Sequence, residues 1–141
     1  LILNAKTQIL IAQRNPEIGM LAVIWEFPGG KIAEGETMPE CIARELKEEM
    51  GLDIEVGPHL VTVHHAYSHF TIELHAHFAR IRSGRPRHLE CSGHAWTTRD
   101  RFDDFPFSKA DHEIIRALRA LPAAPRLIDY FPRSKPFLAR S

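Results

Sequence analysis

Three glutamates, Glu45, Glu48 and Glu49, stand at positions i, i+3 and i+4 of one short segment. If that segment is helical, at about 100° per residue all three fall within about 100° of one face. Around them are Glu34, Glu36, Glu40 and Asp53, with only Arg44 and Lys47 as bases. Like charges at this spacing repel one another and weaken a helix. A charge run of this kind usually means a solvated face. The other reading is that a cation offsets the repulsion. Carboxylate oxygens, hard and few in number, suit Mg2+ held jointly with substrate phosphates. A metal so held neutralises charge developing on phosphorus and activates water, which a carboxylate deprotonates.

These side chains need elements to hold them. Thr37 opens a helix, with Glu40 three residues later as a capping box. The helix runs to Met50 and stops at Gly51, and Ile42, Leu46 and Met50 form its apolar stripe. Strands are expected over Leu1-Ile2-Leu3, Gln8 to Arg14, Val23 to Phe27, Leu60 to Tyr67, Phe70 to Ile81 and His94 to Thr98. In the Phe70–Ile81 strand, Phe70, Ile72, Leu74, Ala76 and Phe78 point one way, and Thr71, Glu73, His75 and His77 the other. Ser108 caps a last helix whose Ile114, Ile115, Leu118 and Leu121 make an apolar stripe. No internal repeat is present. Strands interleaved with two helices imply an α/β (α+β) fold, a mixed sheet sandwiched between helices.

The whole chain has 141 residues, 44% of them hydrophobic, enough for one domain with a proper core. We assign that domain to residues 1–121 and read 122–141, with four prolines, as an irregular tail. Eighteen Lys and Arg balance eighteen Asp and Glu. A protein that grips nucleic acid through phosphates usually carries a basic excess, so the balance favours a small ligand. Cys41 and Cys91 lie in no paired metal spacing and suit a reducing, cytoplasmic setting. No apolar run is long enough for a membrane span and no signal peptide is visible.

The order Gly30, Glu36, Arg44-Glu45-Leu46, Glu48-Glu49, Gly51-Leu52 resembles the Nudix box, G-x5-E-x7-R-E-U-x-E-E-x-G-U with U a bulky aliphatic residue. Every specified position matches, a far more specific signal than a lone glycine motif. The resemblance implies the Nudix fold and a Mg2+-dependent pyrophosphohydrolase, with Mn2+ as a substitute. It implies that Glu45, Glu48 and Glu49 carry metal, that the Gly29 carbonyl ligates it, and that Arg44 orients a glutamate.

The likeness extends over roughly residues 1 to 121. Trp25-Glu26-Phe27-Pro28-Gly29-Gly30-Lys31 is similar to a stretch of MutT-like Nudix enzymes, which remove oxidised guanine nucleotides such as 8-oxo-dGTP. Arg14 matches an arginine kept by these enzymes after their second strand. Glu90, before Trp96, matches a loop glutamate that supplies a further ligand or base. Asp111 stands where a purine-reading Asn or Asp is found, and as part of Ser108-x-x-Asp111 it also reads as helix-start chemistry. His65-Ala66-Tyr67-Ser68-His69-Phe70 resembles a loop in the C-terminal domain of MutY-type adenine glycosylases, which shares the fold and reads 8-oxoguanine in DNA. That resemblance makes Ser68 a substrate contact. The glycosylase domain usually lacks an intact box, whereas all the acids are present here.

The expected partner is therefore a small-molecule nucleotide, bound by a monomer with no membrane. Contact with DNA, at Arg80, Arg82, Arg85 and Arg87, is less favoured than a solvated turn. Another nucleotide, such as a pyrimidine triphosphate, is the alternative substrate. Phe27 and Trp25 either stack on a base or belong to the core, where strand aromatics more often lie. His75-x-His77 puts two imidazoles on one strand face, but no third Zn2+ ligand lies at a suitable spacing. Tyr130, Phe131 and Phe137 of the tail dock either on a partner or on the domain itself.

Overall fold

Local signals set the first helix. Thr37 Oγ1 accepts from Glu40 N at 3.2 Å, and Glu40 Oε1 accepts from Thr37 N at 2.9 Å. Helix α1 spans Met38–Met50 between this reciprocal cap and Gly51, whose φ of 68° is left-handed. Gly51 N–H returns to the Leu46 and Lys47 carbonyls. The computed structural model describes residues 1–16 and 23–132.

Six strands form one sheet: β1 (Ile2–Leu3), β2 (Ile9–Gln13), β3 (Trp25–Glu26), β4 (Asp53–Ala66), β5 (Thr71–Ser83) and β6 (Gly93–Thr97). The order is β3-β2-β1-β5-β4, and β6 also pairs with β2. β1 lies parallel to β5 and the other pairs are antiparallel, so the sheet is mixed. Helices cover it from both sides. α1 sends Leu46 and Met50 against Leu10, Leu52, Ile54 and Ala79. Helix α2 (Lys109–Ala120) sends Ile114, Ile115 and Leu118 against Ile9, Ile11, Val63 and Phe78. β2 thus buries Leu10 and Ala12 in one core and Ile9 and Ile11 in the other. A strand covered on both faces reads as an unbroken apolar run rather than an alternation. Among the described residues, no helix is long and apolar enough to cross a membrane.

Three expectations change. β4 begins at Asp53, not Leu60, because Gly57-Pro58 interrupts the strand without ending it. The pairing with β5 shifts register between Val56 and His59, and this irregularity accommodates a proline that has no N–H to donate. Phe70 does not join Ile72 and Phe78 on the inner face; it lies before β5 in the connecting turn, 59% exposed. A 3-10 helix over Arg99–Asp104, held by buried Phe102, was not foreseen.

The segment after Pro122 is less irregular than its prolines imply. Leu127–Tyr130 forms a turn of helix, α3. Tyr130 stacks on Phe78 at 4.0 Å between centroids, and Phe131 is buried in the α2-side core. A Cβ on Gly57 would fall 2.6 Å from Phe131 Cζ, so the glycine makes room for the ring. Both aromatics therefore dock on the domain's own surface; Phe137 lies outside the described residues. Phe131→Ala should cost about 3 kcal/mol, the usual loss for an emptied aromatic site. Urea unfolding measures this, and a midpoint equal to wild type would show that the docking contributes nothing.

Candidate active site

The acidic side chains come from β3, α1 and α2 and from the loops before α1 and β6. β3 pairs with β2 with Glu26 opposite Ala12. Trp25 packs edge-on against Phe105, with centroids 5.1 Å apart. The Phe27 ring stacks on Phe107 at 5.3 Å and meets Phe102 edge-on at 5.6 Å. These contacts anchor the strand, and alternation sends Glu26 to the other face, where Arg14 Nε donates to its Oε1 at 3.2 Å. The chain then turns through Pro28-Gly29-Gly30 onto the flank of α1. A Cβ on Gly30 would overlap the Glu45 carboxylate, so any larger residue would displace that side chain from its present position.

Arg44 organises the exposed side of the cluster. Its Nε and Nη2 grip both oxygens of Glu36, at 2.6 and 2.9 Å. Nη1 reaches Glu45 at 2.8 Å and Glu48 at 3.1 Å, and Nη2 also donates to the Lys31 carbonyl at 3.0 Å. The Glu36 pairing holds that carboxyl below its usual range and pushes the guanidinium pKa up. One planar fork thus ties the loop before α1 to two acids on the helix.

Glu49 lies on the inner side and is 8% exposed. Burial pushes its pKa up to about 7, with Glu26, Glu45 and Glu90 adding repulsion and the Gly29 amide pulling the other way. Glu90 stands on the loop before β6, where its own N–H donates to the Glu49 carbonyl at 3.1 Å. Asn15 Nδ2 holds the Glu90 carbonyl at 3.2 Å, and Ser92 Oγ donates to Asn15 Oδ1 at 2.7 Å.

Asp111, at the start of α2, is 7% exposed. Burial raises its pKa to about 7, and Glu26 adds to this. Arg14, the Ser108 hydroxyl and the Phe27 amide pull it down. The helix cap itself is the Ser108 hydroxyl, which accepts from Asp111 N at 3.3 Å. The Asp111 carboxyl is thus turned toward Phe27 and Glu26 as well as its own helix.

Glu45, Glu48, Glu49, Arg44, Gly29 and Glu90 therefore come together, and Arg14, Phe27 and Asp111 meet beside them. Phe27 contributes its backbone to Asp111 while its ring belongs to the core. Ser68 does not join them: it sits in the turn between β4 and β5, and no hydrogen bond links it to the cluster among the described residues. That end of the hairpin meets α2 through His65 Nδ1 and Glu113, 3.3 Å apart. Sequence reasoning missed Glu26 as a site residue. It raises the pKa of both Glu49 and Asp111, so it lies between the acid cluster and the second buried carboxyl. The available signal was a lone charge between Trp25 and Phe27.

The pattern of the NUDIX domain family matches residues 1–117. The chain belongs to this family. It is a Nudix pyrophosphohydrolase, and the retained acids set it apart from a module that only binds. It is 32% identical over 123 residues to CTP pyrophosphohydrolase of Escherichia coli K12, covering 87% of this chain and 90% of the relative. It is 37% identical over 112 residues to the putative 8-oxo-dGTP diphosphatase 2 of Mycobacterium tuberculosis H37Rv, covering 73% of each. The solution structure of the E. coli ORF135 protein superposes with a TM-score of 0.72 at 27% identity, covering 89% of this chain and 90% of that one.

Nudix hydrolases need a divalent metal. The donor set fits one: several carboxylates crowd a buried corner, and Gly30 lets backbone approach. Among the described residues no three such side chains already converge as ligands. Arg44 holds Glu45 and Glu48 in one fork. Arg44→Lys is expected to lower kcat about 10–100-fold with the fold intact, because an ammonium cannot hold Glu36 by two bonds while reaching both helix acids. Initial rates at saturating divalent metal test this, and unchanged kcat would remove Arg44 from the positioning role.

Proposed function

We propose that the chain hydrolyses 8-oxo-dGTP to 8-oxo-dGMP and pyrophosphate with Mg2+, and that Mn2+ substitutes. Glu45, Glu48, Glu49, Glu90 and the Gly29 carbonyl would hold the metal. When bound, it neutralises charge on the triphosphate and makes water acidic enough to react. Water adds to phosphorus, an anhydride P–O bond breaks to release pyrophosphate, and a carboxylate of the cluster takes the proton. Arg44 keeps Glu45 and Glu48 in place through these steps, and Arg14 and Glu26 fix the wall beside the base.

The observation that carries the base assignment is the buried Asp111 carboxyl, whose pKa of about 7 leaves it able to keep a proton near neutral pH. A protonated carboxyl offers one donor and one acceptor. Guanine presents two acceptors, N7 and O6, along one edge. Oxidation at C8 puts a proton on N7, so that edge then matches the carboxyl.

A pyrimidine triphosphate is the second reading, favoured by the CTP-hydrolysing relative that covers 87% of this chain. Cytosine also presents a donor beside an acceptor. A panel of 8-oxo-dGTP, dGTP, CTP and dCTP with Mg2+, with pyrophosphate and phosphate measured separately, decides. The expected result is the highest kcat/KM for 8-oxo-dGTP, with pyrophosphate as product. A higher value for CTP would replace the proposed substrate, and release of phosphate alone would change the bond that is cut.

A further inference from the structure

We propose that His59, His75 and His77, on the face of the β4–β5 hairpin away from Val63 and Phe78, form a binding site for a Zn2+-class transition-metal ion. The sequence shows only His75 and His77. Pairing supplies the third ligand: His59 on β4 stands opposite His77, and Thr62 opposite His75. The register shift at Gly57-Pro58 brings His59 into this row. Two imidazoles at i and i+2 of one strand and a third from its antiparallel neighbour are a three-nitrogen donor set with an open fourth position.

One ring pair stands at the required spacing and a second lies within reach of it. With Zn–N bonds of about 2.0–2.1 Å and tetrahedral angles, ligand ring centroids lie about 5 Å apart. His59 and His77 are 5.2 Å apart between centroids, and His59 and His75 are 6.5 Å apart. His59 Nε2 and His75 Nδ1 converge on one atom, Thr62 Oγ1, at 2.8 and 3.1 Å. A metal ion would replace that hydroxyl as their common partner. His77 Nδ1 donates to the Gly57 carbonyl at 3.2 Å, which leaves Nε2 with its lone pair. His75 Nε2 lies 2.9 Å from Glu73 Oε1, the carboxylate–histidine arrangement that orients metal-binding imidazoles. Among the described residues no three such side chains stand arranged to hold a metal ion as they are, these histidines included. Closing the site requires ring rotation and a shift of roughly an ångström at His75, without breaking the sheet.

The site shares no residue with the acid cluster, so binding is measured without turnover. Zn2+ alone is titrated calorimetrically into the whole chain in excess Mg2+, which keeps the carboxylates occupied. One equivalent is expected at micromolar affinity or tighter. His59→Ala, His75→Ala and His77→Ala should each weaken it about tenfold or more, with unchanged circular dichroism. His88 Nε2 and His94 Nδ1 lie 2.8 Å apart elsewhere and provide the control: His88→Ala with His94→Ala should change nothing. The proposal is overturned if any of the three single variants binds like wild type. It is equally overturned if the His88/His94 double variant or Glu49→Gln removes the zinc, since the ion then sits elsewhere.

Discussion

Glu49→Gln is expected to lower kcat/KM by about 10²–10⁴ and, in the metal-free protein above about pH 7, to raise the melting temperature. The two effects have one cause. Glu49 is buried and repelled by Glu26, Glu45 and Glu90, which lifts its pKa from 4.5 to about 7. A folded-state pKa raised above the unfolded value gives stability that is complete below the unfolded pKa and is lost as pH rises through the folded one. Above about pH 7 the wild type therefore carries an ionised, poorly solvated carboxylate that Gln removes. Below about pH 4.5 both side chains are neutral and the melting temperatures should meet. The charge that weakens the empty fold is the one that would hold a cation in the proposed site. Melting curves across this range, beside kinetics with Mg2+, test both halves. A variant that loses activity and stability together would make Glu49 a packing residue.

Asp111→Ala should lower the preference for 8-oxo-dGTP over dGTP by one to two orders of magnitude, the worth of one buried hydrogen bond at ~1–3 kcal/mol. Asp111→Asn should largely keep the preference, because an amide also offers a donor beside an acceptor. The variants separate further with pH. Asp111 holds its proton below a pKa of about 7, so wild-type selectivity should fall as pH rises through that value, while the Asn variant should not change. Stability follows the same sign: its contribution is complete below the unfolded value of 3.8 and is lost as pH rises through about 7. The measurements are kcat/KM for both nucleotides in the three proteins, with melting curves. If Ala leaves the ratio unchanged and only lowers the melting temperature, Asp111 belongs to the start of α2 rather than to the base.

What could be read from the sequence was local. Thr37, Glu40 and Gly51 mark the ends of α1 because capping bonds span only a few residues. The acid spacing on that helix follows from its period alone. The mixed sheet with helices on both sides was expected, and the structure has it. Pairing across the chain was harder to see. Gly57-Pro58 looks like the end of a strand until β5 is seen to carry β4 through the irregularity. His59 joins His75 and His77 only through that same register. Glu26 reads as one polar residue between two aromatics, and only the approach of α1 and α2 to β3 makes it the neighbour of two buried acids. Phe131 lies in a proline-containing tail, and nothing local announces the space left for it at Gly57.

The position of β1 in the sheet also governs assembly. β4 and β5 are joined by a short turn and can pair soon after collapse. β1 lies between β2 and β5, with Ile2 opposite Ala79, so its parallel pairing closes a loop containing β2, β3, α1 and β4. Such a closure carries an entropic cost that grows slowly with the length of the loop, and non-local pairings of this kind slow folding. β2 in turn carries β3 and β6, so the closure through β1 joins the half of the sheet that presents Glu26 to the β4–β5 hairpin. A strand of two residues thus forms the link between the two halves of the sheet.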